Sequence, residues 1–247
     1  MTSHPHPKRL GPLSRLLEGK SHFIWDFDGS LCDTEPLHYA AYAASFARYG
    51  HVVREDEYYR RFTQSSEGIR EEVEAYGLAL DAEACRDIRA FKVREYAAII
   101  ASGVARCFAE MPEILTTTLR LGLTWSIASN SPESENRLIL DALGEPFDSF
   151  VSLVGPVAGG QQGLRKKPAP DLFDEVLRRV AVDRGQALVI EDTDKGLQAA
   201  EAAGIDAICL ATKYNEGIEM TARHVARVTH AEFLGALLEI ERGPQKE

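Results

Sequence analysis

The chain has 247 residues, 45% hydrophobic and 27% charged, enough to bury one large core or a core with a smaller inserted module. Its 38 acidic residues outnumber 28 basic ones, for a formal net charge of -10, and no basic stripe is present; this excludes a nucleic-acid partner held by phosphate contacts. No run approaches the roughly 18 apolar residues of a membrane span, and four scattered cysteines, Cys32, Cys85, Cys107 and Cys209, show no metal-ligand spacing. Free thiols in a reducing compartment, the cytoplasm, are the expectation.

Residues 1–20 are basic and Pro-containing without the apolar stretch of a signal peptide, and read as a mobile arm with at most a short helical turn around Leu13 to Leu17. The first strand is HFIWD (22–26), followed at once by the acidic turn Asp26, Asp28 and Asp33. From Pro36 to about Arg106 no buried strand is legible. EPLHYAAYAASFARYG is amphipathic up to Gly50, and DAEACRDIRAFKVREYAAIIASG carries Cys85, Ile88, Tyr96, Ile99 and Ile100 at helical spacing. This block reads as an all-α insert.

Strand character returns at LTWSIAS (123–129), FVSLV (150–154), ALVIED (187–192) and AICLA (207–211), several without polar alternation, as in strands covered on both faces. Helical segments alternate with them: ESENRLILDAL, PDLFDEVLRRV with Pro170 at its start, and KGLQAAEAAG, with Gly144 and Gly204 at helix ends. The loop GPVAGGQQGLRKK (155–167) is Gly-rich and expected to be mobile. The alternation predicts an α/β protein, a Rossmann-like doubly wound parallel sheet. The expected division is a core of 21–35 and 107–247 and a helical module of 36–106.

In such sheets ligands gather beyond the carboxyl ends of the strands. There the sequence places Asp26-Phe27-Asp28, then Ser129-Asn130-Ser131, then Lys166-Lys167-Pro168, then Glu191-Asp192-Thr193. Several carboxylates in one pocket require a cation, and oxygen ligands without His or Cys favour a hard ion such as Mg²⁺ with substrate phosphate. A hydroxyl and a lysine suit the remaining needs of a phosphoryl group.

The four ordered stretches, DFDGSLCDTE, IASNS, KPAPDLF and EDTDKG, resemble the motifs of the haloacid dehalogenase superfamily of phosphohydrolases, over about Phe23 to Leu210. The helical block between the first and second stretches resembles the subgroup with an α-helical cap, in the branch of β-phosphoglucomutase and sugar bisphosphate phosphatases. The resemblance implies Asp26 as nucleophile through an aspartyl-phosphate and Asp28 as general acid and base. It implies Ser129 as phosphoryl ligand, assisted by Asn130 and Ser131, and Lys167 as neutralising cation, with Lys166 its rival. Gly29 shapes the turn that meets substrate. Mg²⁺ falls to Asp26, the carbonyl of Asp28, Asp192, and Glu191 in or just behind the coordination shell. Ser30 and Thr193 depart from the usual Thr and Ser. Asp194 is either a further metal ligand or an exposed helix-start acid.

His38 reads as a packed interface histidine, and Arg61, Arg70, Lys92 and Arg94 as solvated charges. The insert carries RRFTQSSEGIR in place of the Arg-Glu-Asp-Ser pattern by which a mutase would grip a second phosphate. The expected function is therefore a Mg²⁺-dependent phosphomonoester hydrolase, monomeric, acting on a small sugar phosphate or related metabolite. Movement between insert and core is expected at Thr34–Pro36 and Arg106–Pro112. The alternatives are a β-phosphoglucomutase-like mutase and, in another class, a non-catalytic phosphate- or metal-binding regulatory protein.

Overall fold

A computed structural model describes residues 11–65, 67–144, 147, 157–158 and 163–243. Among the described residues six strands form one sheet: β1 (His22–Trp25), β2 (Thr124–Ser129), β3 (Val157–Ala158), β4 (Ala187–Glu191), β5 (Asp206–Leu210) and β6 (Ala226–Val228). Their order is β3-β2-β1-β4-β5-β6, and every pairing is parallel. The chain starts at the centre and winds outward both ways, so β1 lies between β2 and β4 in register, Trp25 opposite Ile127 and Ile190.

The unbroken apolar strands are buried on both faces. One face carries Phe23, Trp25, Ile127 and Ile190 against α1 (Pro12–Glu18), α6 (Met111–Arg120) and α10 (His230–Arg242). Phe233 of α10 meets Phe23 and Trp25 edge-on, ring centroids 5.6 Å apart in both pairs. The opposite face carries Ile24, Ala128, Val189 and Ala207 against α8 (Asp171–Val180) and α9 (Asp194–Ala203). α8 shows why its sequence is a helix: Leu172, Phe173, Val176 and Leu177 form its buried stripe, Asp171 and Asp174 lie in the first turn, and Arg178 and Arg179 in the last, complementing the helix dipole. α7 (Glu133–Leu143) completes the described crossovers.

Between β1 and β2 the chain is helical: α2 (Glu35–Ala47), α3 (Glu55–Tyr58) running into a π-helix (Tyr59–Gln64), α4 (Ile69–Ala75) and α5 (Ala82–Ala101). These build a separate apolar cluster of Phe46, Val53, Tyr58, Phe62, Ile69 and Ile88. Outgoing and returning chains touch where they cross: Cys32 pairs with Cys107 through an antiparallel backbone bridge, and the Asp33 N–H donates to the Arg106 carbonyl at 2.9 Å.

Two features differ from the sequence reading, and one lies beyond what the structure describes. The expected arm ends early, because α1 docks Leu17 at 1% exposure into the core and Lys20 donates to Asp206 and to the Gly185 carbonyl, both at 2.9 Å. β6 is an additional edge strand of three residues. The strand expected at 150–154, and much of the loop at 155–167, lie outside the described residues. The four cysteines are free thiols, and among the described residues no helix is long and apolar enough to cross a membrane.

Candidate active site

Strand ends deliver the site. Beyond β1, the Asp26 N–H donates to the Ile190 carbonyl at 2.9 Å, keeping Asp26 on the sheet axis as the strand finishes. Its Oδ1 accepts from Lys167 Nζ at 2.6 Å. That ammonium also donates to Glu191 Oε1 at 2.8 Å and the Ala128 carbonyl at 2.6 Å, so its three protons reach acceptors on β2, at the end of β4 and just beyond β1. Lys167 is thereby assigned to the site, whereas Lys166 is exposed. Asn130 fixes the lysine's backbone from both sides, Oδ1 accepting from Lys167 N at 2.9 Å and Nδ2 donating to Lys167 O at 3.2 Å. The Asn130 amide thus acts here on the lysine loop.

Glu191, 1% exposed, spends its second oxygen on the N–H groups of Asp192 and Thr193 and the Thr193 hydroxyl, at 2.9–3.0 Å. Its neighbour Asp192 differs. Oδ1 accepts from Ser30 at 3.2 Å, but the buried Oδ2 has no protein partner among the described residues. Oxygens of Asp26, Glu191 and Asp192 lie within 4.8 Å of one another. Gly29, at φ 81°, follows from this crowding, since a Cβ there would sit 2.5 Å from Asp192 Oδ2.

Asp28 turns away from the trio. Its oxygens accept from Thr34 at 2.5 Å, Ser131 at 2.5 Å and, more loosely, His38 at 3.4 Å. Of this residue only the main chain is left for a metal. Ser129 Oγ accepts the Ser131 N–H at 3.0 Å, tying the second strand's turn together. Two other acids leave the site: Asp33 faces Tyr214 and Lys213, and Asp194 clamps Thr221 and Ala222. Asp194 is thus the helix-start acid of the two readings.

The charges explain the lysine and the orphaned oxygen together. Burial first, then the Glu191 carboxylate, raise the Asp26 pKa against the opposing pull of Lys167; burial, Glu191 and Asp26 raise Asp192. Burial opposes the Lys167 charge, but Asp26 and Glu191 outweigh it and hold the ammonium protonated. Three carboxylates against one ammonium leave an excess of negative charge in a dry pocket, which a divalent cation offsets. An all-oxygen donor set with Asp192 Oδ2 unpartnered fits a hard ion. For Asp28, burial pushes upward, but His38, Ser131 and Thr34 hold it well below the usual range.

Above this floor a cavity of about 190 Å³ is roofed by the insert. His38 reaches Asp28 while stacking on Tyr96 at 3.9 Å, and Lys92 Nζ lies 3.0 Å from His38 Nδ1. The interface reading of His38 holds, yet the same ring touches the site. Glu35 accepts from Thr63 at 2.7 Å under the roof. Two residues escape sequence reasoning. Asn215 is fully buried and donates to the carbonyls of Asp192 and Leu210. Gly196 in α9 faces Glu191 so closely that a Cβ would lie 1.7 Å from Oε1. The only sequence signal for the latter is a glycine early in a helix.

The chain is 31% identical over 210 residues to the protein CbbY of Cupriavidus necator, spanning 78% of each chain. It is 30% identical over 229 residues to the phosphorylated carbohydrates phosphatase of Thermotoga maritima, covering 88% of this chain and 98% of that one. The crystal structure of CbbY from Rhodobacter sphaeroides in complex with phosphate shares the fold, with a TM-score of 0.72 at 24% identity over 89% of this chain and 100% of that one. The model of the haloacid dehalogenase-like hydrolases matches residues 20–204, about three quarters of the length, and with the site's layout on the sheet this assigns the chain to that hydrolase family.

Proposed function

We propose that the protein is a phosphomonoester hydrolase that works through an aspartyl-phosphate on Asp26 and uses a divalent cation, Mg²⁺ by donor chemistry, on a small sugar phosphate or related metabolite. The carrying observation is the Asp26–Lys167–Glu191 network beside the unpartnered Asp192 Oδ2. Asp26, the Asp28 carbonyl and Asp192 would hold the metal, with Glu191 close behind. When bound, the ion supplies charge neutralisation for the phosphoryl oxygens.

Asp26 supplies the attacking oxygen and Lys167 fixes its orientation while keeping the nucleophile and the incoming phosphate from repelling. Ser129, its Oγ fixed by the Ser131 N–H, offers its hydroxyl proton to an equatorial oxygen. Asp28 stands two residues beyond the nucleophile, gripped by Thr34 and Ser131. There, ionised by these contacts, it takes a proton from the water that opens the acyl-phosphate; to give one to the departing alkoxide it must first gain a proton, which the negative charge of the incoming phosphate favours. Residues 36–106 act as the lid that excludes bulk water and reads the leaving group. The likeness to a phosphorylated carbohydrates phosphatase supports the substrate class.

The test is phosphate release from a panel of sugar phosphates, phosphoglycolate and nucleotides, with and without Mg²⁺. Release should require the metal and fall at least about 10³-fold in Asp26→Asn, which removes the nucleophile. Metal-independent release, or an Asp26→Asn variant of undiminished rate, would overturn the assignment.

A further inference from the structure

Resting on the phosphomonoesterase reading, we infer that the substrate carries a single phosphate and presents hydroxyl or amino donors at its far end, with Glu67 as the selecting residue. Glu67 comes from the insert and lines the cavity on the side away from the sheet. It is not a loose surface acid. Arg61 donates to its Oε2 from Nε at 2.7 Å and reaches it again from the guanidinium at 2.6 Å. Arg61 also pairs with Glu72 at 2.5 Å, and Glu72 accepts from His51 at 2.7 Å. Arg61 is 12% exposed and Glu72 2%, so a buried chain from His51 through Glu72 and Arg61 holds one carboxylate at the cavity wall. One guanidinium divided between two carboxylates leaves net negative charge on this wall. Glu67 Oε1 has no hydrogen-bond partner among the described residues, leaving an acceptor for a ligand.

A second observation points the same way. Gln64, at the end of the π-helix, is 8% exposed, and neither its amide oxygen nor its nitrogen has a partner among the described residues. It lines an adjoining cavity of about 450 Å³, which shares Lys195 with the first. A buried amide with donor and acceptor both unspent matches hydroxyl groups, which also offer both. The cations nearby are already engaged, by neutral groups. Lys195 donates to the Thr63 carbonyl at 3.1 Å, and Lys92 lies against His38 and the rings of Tyr42 and Tyr96. Five carboxylates line the first cavity against three lysines. A divalent cation offsets that excess and one phosphate dianion restores it; a second dianion would double it, beside Glu67.

The experiment measures kcat and KM for glucose 6-phosphate, glucosamine 6-phosphate and fructose 1,6-bisphosphate with wild type, Glu67→Gln and Glu67→Arg. Thermal-shift titrations of the same compounds on Asp26→Asn report binding without turnover. KM for the bisphosphate should exceed that of the better monophosphate at least tenfold. Glu67→Gln should raise KM for the amino sugar several-fold with kcat little changed, and Glu67→Arg should narrow or invert the preference. If Glu67→Arg is not folded, Glu67→Gln and the wild-type ratio decide. Equal or better use of the bisphosphate by wild type, or no change of KM in Glu67→Gln, overturns the inference while leaving the hydrolase intact. Absent turnover with a monophosphate preference in the titrations retains the selector and removes the hydrolase; no binding of any compound removes both.

Discussion

Gly196→Ala is the substitution for which the structure makes the sharpest demand. In an exposed helix interior, Gly→Ala stabilises by about 1 kcal/mol. Gly235, in α10, supplies that control, because a methyl group added there would meet nothing within 4 Å. At Gly196 the same methyl would stand 1.7 Å from Glu191 Oε1 and 1.8 Å from Cδ. Nothing there can yield cheaply. The carboxylate is buried against Lys167, two backbone N–H groups and the Thr193 hydroxyl, and α9 is pinned at its start by Thr193 accepting from Gly196 N at 3.3 Å. Moving Glu191 breaks a buried ion pair, a loss of about 3–5 kcal/mol, only partly offset by the propensity gain. Net destabilisation of about 3 kcal/mol is expected, a fall of roughly 6–12 °C in Tm for a chain of this size. Displacing Lys167 by even 1 Å should also cost turnover about 10²-fold. Denaturant unfolding and phosphate release of Gly196→Ala and Gly235→Ala side by side test this. If both variants are stabilised alike and turn over like wild type, the account of Glu191 as the brace of the site is wrong.

Asp192→Asn removes a buried charge that repels Asp26 and Glu191, so without metal the variant should be more stable than wild type by about 1 kcal/mol or more, while the Mg²⁺-dependent rise in Tm disappears; differential scanning fluorimetry with and without Mg²⁺ reads both. His22, fully buried between Thr124 and Ser126 at 2.7 and 2.8 Å, has its pKa pushed by burial from 6.5 down to about 4. The unfolded chain therefore takes up this proton first, and the stability present above pH 6.5 drains away as pH falls toward 4, by about 2 kcal/mol at pH 5; urea midpoints at pH 7 and 5 should converge in His22→Gln. Leu17→Ala, in a helix packed under α10, should cost about 2–5 kcal/mol, against almost nothing if residues 1–20 were undocked.

The parts legible in the sequence were those with a local cause. Strands buried on both faces announce themselves as unbroken apolar runs, and parallel topology brings the residues just past each of them to one rim, so Asp26, Ser129, Lys167, Glu191 and Asp192 could be grouped before any coordinates. β6 lacks that signature: it is three residues of Ala-Arg-Val at the sheet edge, partly exposed throughout. α1 was obscured by its basic, Pro-containing flank, although the spacing of Leu13, Leu16 and Leu17 was visible. The contribution of Gly196 depends on how closely α9 approaches the end of β4, and that of Glu67 on a relay through Arg61, Glu72 and His51. Neither distance is written in spacing. Asp33 and Asp28 look equivalent as neighbours in one acidic turn, yet only the latter reaches the cavity, because the chain reverses between them to meet Arg106.

That reversal bears on how such a protein can diversify. The chain departs at Asp33 and comes back at Arg106 through one shared gateway, its two passages laced together by the backbone bridge between Cys32 and Cys107. An insert held at one gateway enters and leaves between β1 and β2 without interrupting either strand. The roof is hinged at one place yet not independent of the floor: His38 reaches down to Asp28, and Ala41, Tyr96 and Ile100 share the core beneath, so its outer helices are the part free to vary without disturbing the chemistry.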